Sequence, residues 1–190
     1  GHATLAGAYV IINHLKHSNN EVNFKTLSGN LKVNFDGNTY TLDFPSRKPI
    51  ETEFPDIIKN VFSIHPIKTF ISRDYLLVYR NESEIKKIKL NQDLLNKIDL
   101  GTGGIILTAK GDKSDFVSRY FTPNSTIMED PVTGSAHCSL IPYWSEVLNK
   151  KKMTAIQLSK RRGELICEKK NKRVLIGGKA KIYLKGSIWI

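Results

Sequence analysis

Glu129-Asp130-Pro131-Val132-Thr133-Gly134-Ser135-Ala136-His137-Cys138 is the stretch whose reading decides the fold. Two acidic residues and a proline precede small residues that lead into an apolar pattern of helical spacing. Ala136, Leu140, Trp144, Val147 and Leu148 fall on one face, which predicts a helix over 135–148, bent at Pro142 because proline lacks an N–H. Thr133, Gly134, Ser135 and Ala136 then lie at a helix start, where unpaired backbone N–H groups favour an anion. Such a site can hold a substrate carboxylate or a developing enolate oxygen, with Asp130 at its mouth. The competing reading is structural: Asp130, Thr133 or Ser135 only caps the helix, for about 1 kcal/mol.

The opening Gly1-His2-Ala3-Thr4 has the same character. Leu5, Ala8, Tyr9, Ile12 and Leu15 follow at spacings of three and four, predicting a helix over 2–16. Two helix starts facing one cleft would make a compact site for an acidic molecule. His2 can exchange a proton near neutral pH, although a lone histidine is also a common structural residue. Cys138 is expected to pack inward, with a thiolate role as the alternative. The chain enters its first helix with no initiator Met and no preceding strand, which reads as the middle of a protein.

Between these helices the pattern is one of short strands. Residues 21–27, 31–35 and 39–44 alternate apolar and polar, punctuated by Ser28-Gly29-Asn30 and Asp36-Gly37-Asn38, which suit hairpin turns. Pro45, Pro49 and Pro55 break the pattern, and 45–55 is the candidate lobe boundary. Beyond it we expect a short helix over 55–61, strands at 68–72, 75–79 and 85–90, and a helix at 92–98. Strands at 103–109 and 115–122 follow, and after the second long helix come strands at 153–158, 164–168 and 173–184. Each half thus has a long helix and a β-meander, an α+β architecture in which 1–48 belongs to one lobe and 49–179 to the other. A strand near 180–190 is expected to return to the first lobe.

Composition bounds the function. The 190 residues are 40% hydrophobic and 25% charged, globular proportions that exclude disorder and a long coiled coil. The uncharged stretch 5–15 is shorter than the ~20 residues of a membrane span, and no secretory leader is visible. Cys138 and Cys167 cannot form a disulfide framework, so a reducing cytoplasm is the simplest compartment. Thirteen of the twenty-nine basic residues behind the net charge of +11 lie within 150–185. They alternate with Leu165, Cys167, Val174, Ile176, Ile182 and Leu184, as on a solvated sheet face, and no aromatic platform accompanies them for nucleic acid. The five histidines form no metal-ligand spacing, and Gly101-Thr102-Gly103-Gly104 and Gly177-Gly178-Lys179 read as turns.

Five blocks resemble, in order, those of the PhzF-like family named after phenazine biosynthesis. They are Gly1-His2-Ala3-Thr4-Leu5-Ala6, Leu42-Asp43-Phe44-Pro45-Ser46-Arg47, Ser72-Arg73-Asp74-Tyr75-Leu76-Leu77, Asp115-Phe116-Val117-Ser118-Arg119-Tyr120-Phe121 and residues 129–138. Ser159-Lys160-Arg161-Arg162-Gly163-Glu164-Leu165 fits a sixth. The resemblance implies a diaminopimelate epimerase-like fold of two pseudosymmetric lobes, each a sheet wrapped around a central helix, with the first lobe incomplete here. It implies a cofactor-free isomerase, commonly a homodimer, that moves a proton on a small acidic metabolite. The family's catalytic residues match His2, Asp130 and Ser135; the amides of Gly1, Ala3, Thr4, Thr133, Gly134 and Ala136 would bind the substrate anion. Arg119 stands where related epimerases hold a substrate carboxylate, a task that suits its guanidinium fork, with a surface salt bridge as the alternative. The family's acid/base Glu lies in a segment upstream of the Gly-His motif, so a chain of this extent alone is expected not to turn over. A non-catalytic binder of small acids, an inactive fragment, and a basic nucleic-acid-binding protein are the competing readings.

Overall fold

The anticipated first helix forms as α1 (His2–His14) in the computed structural model, which describes residues 1–15, 17–27, 29–123 and 125–189. Lys16 of the expected helix and Ser28 of the first turn lie outside the described residues. The meander follows as β1 (Glu21–Thr26), β2 (Gly29–Phe35) and β3 (Tyr40–Pro45), paired antiparallel. Asp36 accepts from the N–H groups of Asn38 (2.9 Å) and Thr39 (2.8 Å), and Gly37 supplies a φ of 95°, which fixes the β2–β3 turn. Tyr40, Leu42 and Phe44 alternate into the core as a half-buried strand requires.

The boundary segment is not featureless. It contains β4 (Ile50–Thr52), an exposed edge strand on β5 (Lys68–Ile71), and the helix expected at 55–61 is a single 3-10 turn, Asp56–Ile58. After β6 (Tyr75–Val78), the strand expected at 85–90 is instead a helix, α2 (Glu82–Lys87). Asn81 caps it through Glu84 N–H, acidic residues fill its first turn and lysines its last, and Ile85 and Ile88 bury at a spacing of three. The chain continues through α3 (Gln92–Leu95), β7 (Ile105–Lys110), β8 (Phe116–Phe121), α4 (Gly134–Val147), β9 (Lys152–Gln157), β10 (Gly163–Lys170) and β11 (Arg173–Gly178).

Among the described residues these strands form one sheet in the order β1-β2-β3-β11-β10-β9-β8-β7-β6-β5-β4, mostly antiparallel, with β6–β7 and β8–β9 parallel. The architecture is α+β, as the sequence predicts. Its two cores lie on opposite faces: Leu76, Val78, Ile106 and Phe116 join the core under α1 and α4, while Leu77, Ile105, Leu107 and Val117 join the one under α2 and α3. This alternation explains why β7 reads as a continuous apolar run.

The last strand ends earlier than expected. Gly177 and Gly178 are not a turn: they pair with Thr41 and Tyr40, and the link between the first meander and the rest is β11 against β3 rather than a strand near 180–190. Residues 179–189 have no strand pairing; Ile182 N–H donates to Tyr9 Oη (3.3 Å) on α1, and Leu184 stays exposed. Among the described residues there, Ile182, Leu184 and Ile188 stay exposed, so the alternation is not matched by burial.

Pro142 lies inside α4 and has no N–H for the Cys138 carbonyl four residues back. That carbonyl accepts from Arg47 N–H instead (2.8 Å), tying the segment after β3 to the helix. No described helix is long and apolar enough to cross a membrane.

Candidate active site at the helix tips

The starts of α1 and α4 abut. A Cβ added to Gly1 would lie 3.2 Å from Gly134 Cα, and one on Gly134 would lie 3.3 Å from Gly1 Cα. Glycine at both positions lets the backbones approach this closely with neither displaced. Neither helix has a side-chain cap, so the capping reading of Thr133 fails: its hydroxyl donates to Asp130 Oδ2 (2.6 Å) rather than serving the helix. The first amides of both helices are therefore left uncapped by their own N-cap residues, which concentrates positive potential at the junction.

The predicted residues distribute around this junction. Gly1, His2 and Ala3 are exposed and Thr4 half-buried at the tip of α1. Gly134 and Ser135 are half-buried at the tip of α4; the buried Thr133 spends its N–H on Gln157 Oε1 (2.8 Å) and so does not offer it to an anion as expected, while the Ala136 methyl faces the core and leaves the Ala136 amide as the group that could serve one. Asp130 is half-buried in the loop that leads into α4.

Arg119 does not join them. Its guanidinium forks onto Glu129 (2.7 and 2.9 Å) and donates to the carbonyls of Ile85 (3.2 Å) and Ile88 (3.1 Å), over the Phe121 ring. So engaged, it ties α2 to β8 through a partly buried salt bridge rather than the surface one that was the alternative.

Arg73, to which sequence reasoning gave no role, is the arginine at the site. Its Nη2 donates to Ser135 Oγ (3.2 Å) and to both oxygens of Asp74 (2.9 Å each), whose carboxylate is 0% exposed. Gly104 N–H (2.9 Å) and Tyr120 Oη (3.0 Å) complete the donors to Asp74. Burial works against the Arg73 charge, but the hydrogen bonds and charge of Asp74 outweigh it and raise its pKa. Burial, then Asp74, push the Tyr120 phenol up to about 12, so it stays a donor. Because guanidinium has no acceptor, Ser135 Oγ accepts from Arg73 and does not spend its own proton on that bond. The signal for Arg73 was an Arg-Asp pair in a tight turn between strands, which on sequence alone reads as a surface feature.

Cys138 packs inward, and burial raises its thiol pKa despite Arg47 and Arg73 nearby. His137 is 0% exposed and holds the Thr133 carbonyl through Nδ1 (2.8 Å). A cavity of about 460 Å³ lined by Glu129, Pro131, Ser159, Lys160 and Arg161 adjoins the Asp130 loop. A larger one, about 690 Å³, lies at the other end of α4 beside Phe70, Tyr143 and Val147 and includes none of these site residues.

The PhzC-PhzF family, described as phenazine biosynthesis-like protein, matches residues 1–186. A Pseudomonas aeruginosa protein named an uncharacterized isomerase is 39% identical over 188 residues, covering 99% of this chain and 72% of that protein. A crystal structure of a PhzF family phenazine biosynthesis protein from Enterococcus faecalis superposes with a TM-score of 0.94 at 40% identity, covering 100% of this chain and 73% of that one. A putative phenazine biosynthesis PhzC/PhzF protein from Clostridium difficile gives a TM-score of 0.91 at 46% identity, with the same coverage. The chain belongs to the PhzF family of phenazine biosynthesis-like proteins.

Proposed function

We propose that the protein is a PhzF-like, cofactor-independent isomerase that relocates a proton on a small carboxylate-bearing metabolite held where α1 and α4 meet. The observation that carries this reading is the contact of two uncapped helix starts at Gly1 and Gly134, with Asp130 and the Arg73-bonded Ser135 hydroxyl beside it. Moving a proton next to a carboxylate needs donors for the accumulating negative charge and a group to carry the proton. The amides and Ser135 supply the first, and Asp130 and His2 supply the second. The isomerase name of the Pseudomonas aeruginosa relative supports the reaction class. The family's further acid/base Glu, the homodimer and a cytoplasmic setting belong to the same proposal, as does the division into lobes at 1–48 and 49–179.

The test is solvent deuterium incorporation into candidate carboxylic acids by the complete protein, carrying the segment with the acid/base Glu that the family resemblance places upstream of the Gly-His motif. Asp130→Ala and His2→Ala each abolish incorporation while the far-UV circular dichroism is unchanged; incorporation retained in both variants overturns the role assignment.

A further inference from the structure

Gln157 sits at the end of β9, 0% exposed, directly beneath the Asp130 loop. Sequence reasoning gave it no role. Its hydrogen bonds have only one consistent direction. Thr133 N–H lies 2.8 Å from Gln157 Oε1, and a backbone N–H can only donate. The amide nitrogen therefore faces the other way, donating to the backbone carbonyl of Asp130 (2.7 Å) and to Thr133 Oγ1 (3.1 Å). With Oγ1 accepting there, the one hydroxyl proton of Thr133 goes to Asp130 Oδ2 (2.6 Å). Both N–H bonds and the carbonyl of the Gln157 side chain are thus engaged, in a place water does not reach. Ser159 Oγ donates to the Pro131 carbonyl (2.8 Å), holding the same loop from the next turn.

We infer that Gln157 is a positioning residue that makes Oδ1 the proton-exchanging oxygen of Asp130, by directing the Thr133 hydroxyl onto Oδ2. A proton on Oδ1 leaves the Thr133 bond intact, whereas a proton on Oδ2 crowds the edge that Thr133 already serves. The inference rests on the acid/base reading of Asp130, and it assigns Gln157 no contact with substrate. Removing Gln157 frees the Thr133 hydroxyl to turn away and lets the carboxylate rotate, a loss of alignment that lowers turnover by about 10–100-fold.

Nuclear magnetic resonance of the 190-residue chain tests it without turnover. In the parent protein the Thr133 hydroxyl proton gives a slowly exchanging resonance close to the Asp130 side chain. In Gln157→Leu it exchanges at least tenfold faster, and the Asp130 13Cγ signal moves at constant pH. Thr133→Ser retains the slow proton; Thr133→Val reproduces the Asp130 signal of Gln157→Leu. Should Gln157→Leu not fold, Gln157→Glu keeps the shape and the acceptor but removes the donors, and the same acceleration is expected. In deuterium incorporation by the complete protein, Gln157→Leu or Gln157→Glu lowers kcat with KM little changed. An unchanged hydroxyl proton and Asp130 signal in the folded Gln157 variant overturns the inference even if Asp130→Ala is inactive. Undiminished incorporation by Asp130→Ala overturns the acid/base reading instead, whatever the spectra show.

Discussion

Burial holds the His137 imidazole in its neutral form. Its Nδ1 proton goes to the Thr133 carbonyl, its Nε2 has no hydrogen-bond partner among the described residues, and its pKa falls to about 4 from 6.5 because the cation would be desolvated. The unfolded chain therefore takes up this proton at a higher pH than the folded one. Stability from this source is full above pH 6.5 and is lost as pH falls towards 4, a difference of roughly 3 kcal/mol. The midpoint of urea unfolding should drop between pH 7 and pH 4.5, and it should drop less in His137→Gln. Equal slopes in the two proteins would show that the imidazole is solvated. The same residue has a functional bearing, since it braces the N-cap from which Thr133 reaches Asp130.

At the scale of elements, the site depends on two helices that meet end to end and on the glycines that permit it. Gly134 is the first residue of α4, where alanine improves helix propensity by up to about 1 kcal/mol. Its Cβ, however, would sit 3.3 Å from Gly1 Cα, so the backbones must separate by tenths of an ångström. Gly134→Ala should melt within a few degrees of the parent while deuterium incorporation falls on the order of 10–100-fold. A clear loss of thermal stability with undiminished incorporation would mean that the junction serves packing rather than chemistry. Element type was largely legible in the sequence: helical spacing gave α1 and α4, and alternation punctuated by Gly29-Asn30 and Asp36-Gly37-Asn38 gave β1 to β3. The misreading at α2 came from Ile85, Ile88 and Leu90, whose short apolar pattern fits either period until the Asn81 cap decides it.

For the whole molecule, the pairing of β11 with β3 joins the chain's first and last strands in one sheet, and the core under α1 is continuous with that under α4. Unfolding should therefore be a single transition. Ile176, on β11, is 2% exposed in this shared core, and Ile176→Ala should cost about 2–5 kcal/mol. The loss should lower the midpoints reported by far-UV circular dichroism and by fluorescence of the buried Trp144 together. Separated midpoints would show that the two regions unfold independently.

The sequence by itself determined the local grammar of this protein: helix starts built of small residues, hairpin turns, and a core of alternating and helical periods. These follow from backbone stereochemistry and spacing, which act over a few residues. Only the tertiary structure decided that Arg119 is held by Glu129 while Arg73 attends Ser135, and that Gln157 orients the Asp130 loop. An arginine or glutamine can reach many partners, and which one it meets depends on strands brought together across the sheet. That pairing is a long-range outcome of packing, and no local pattern records it.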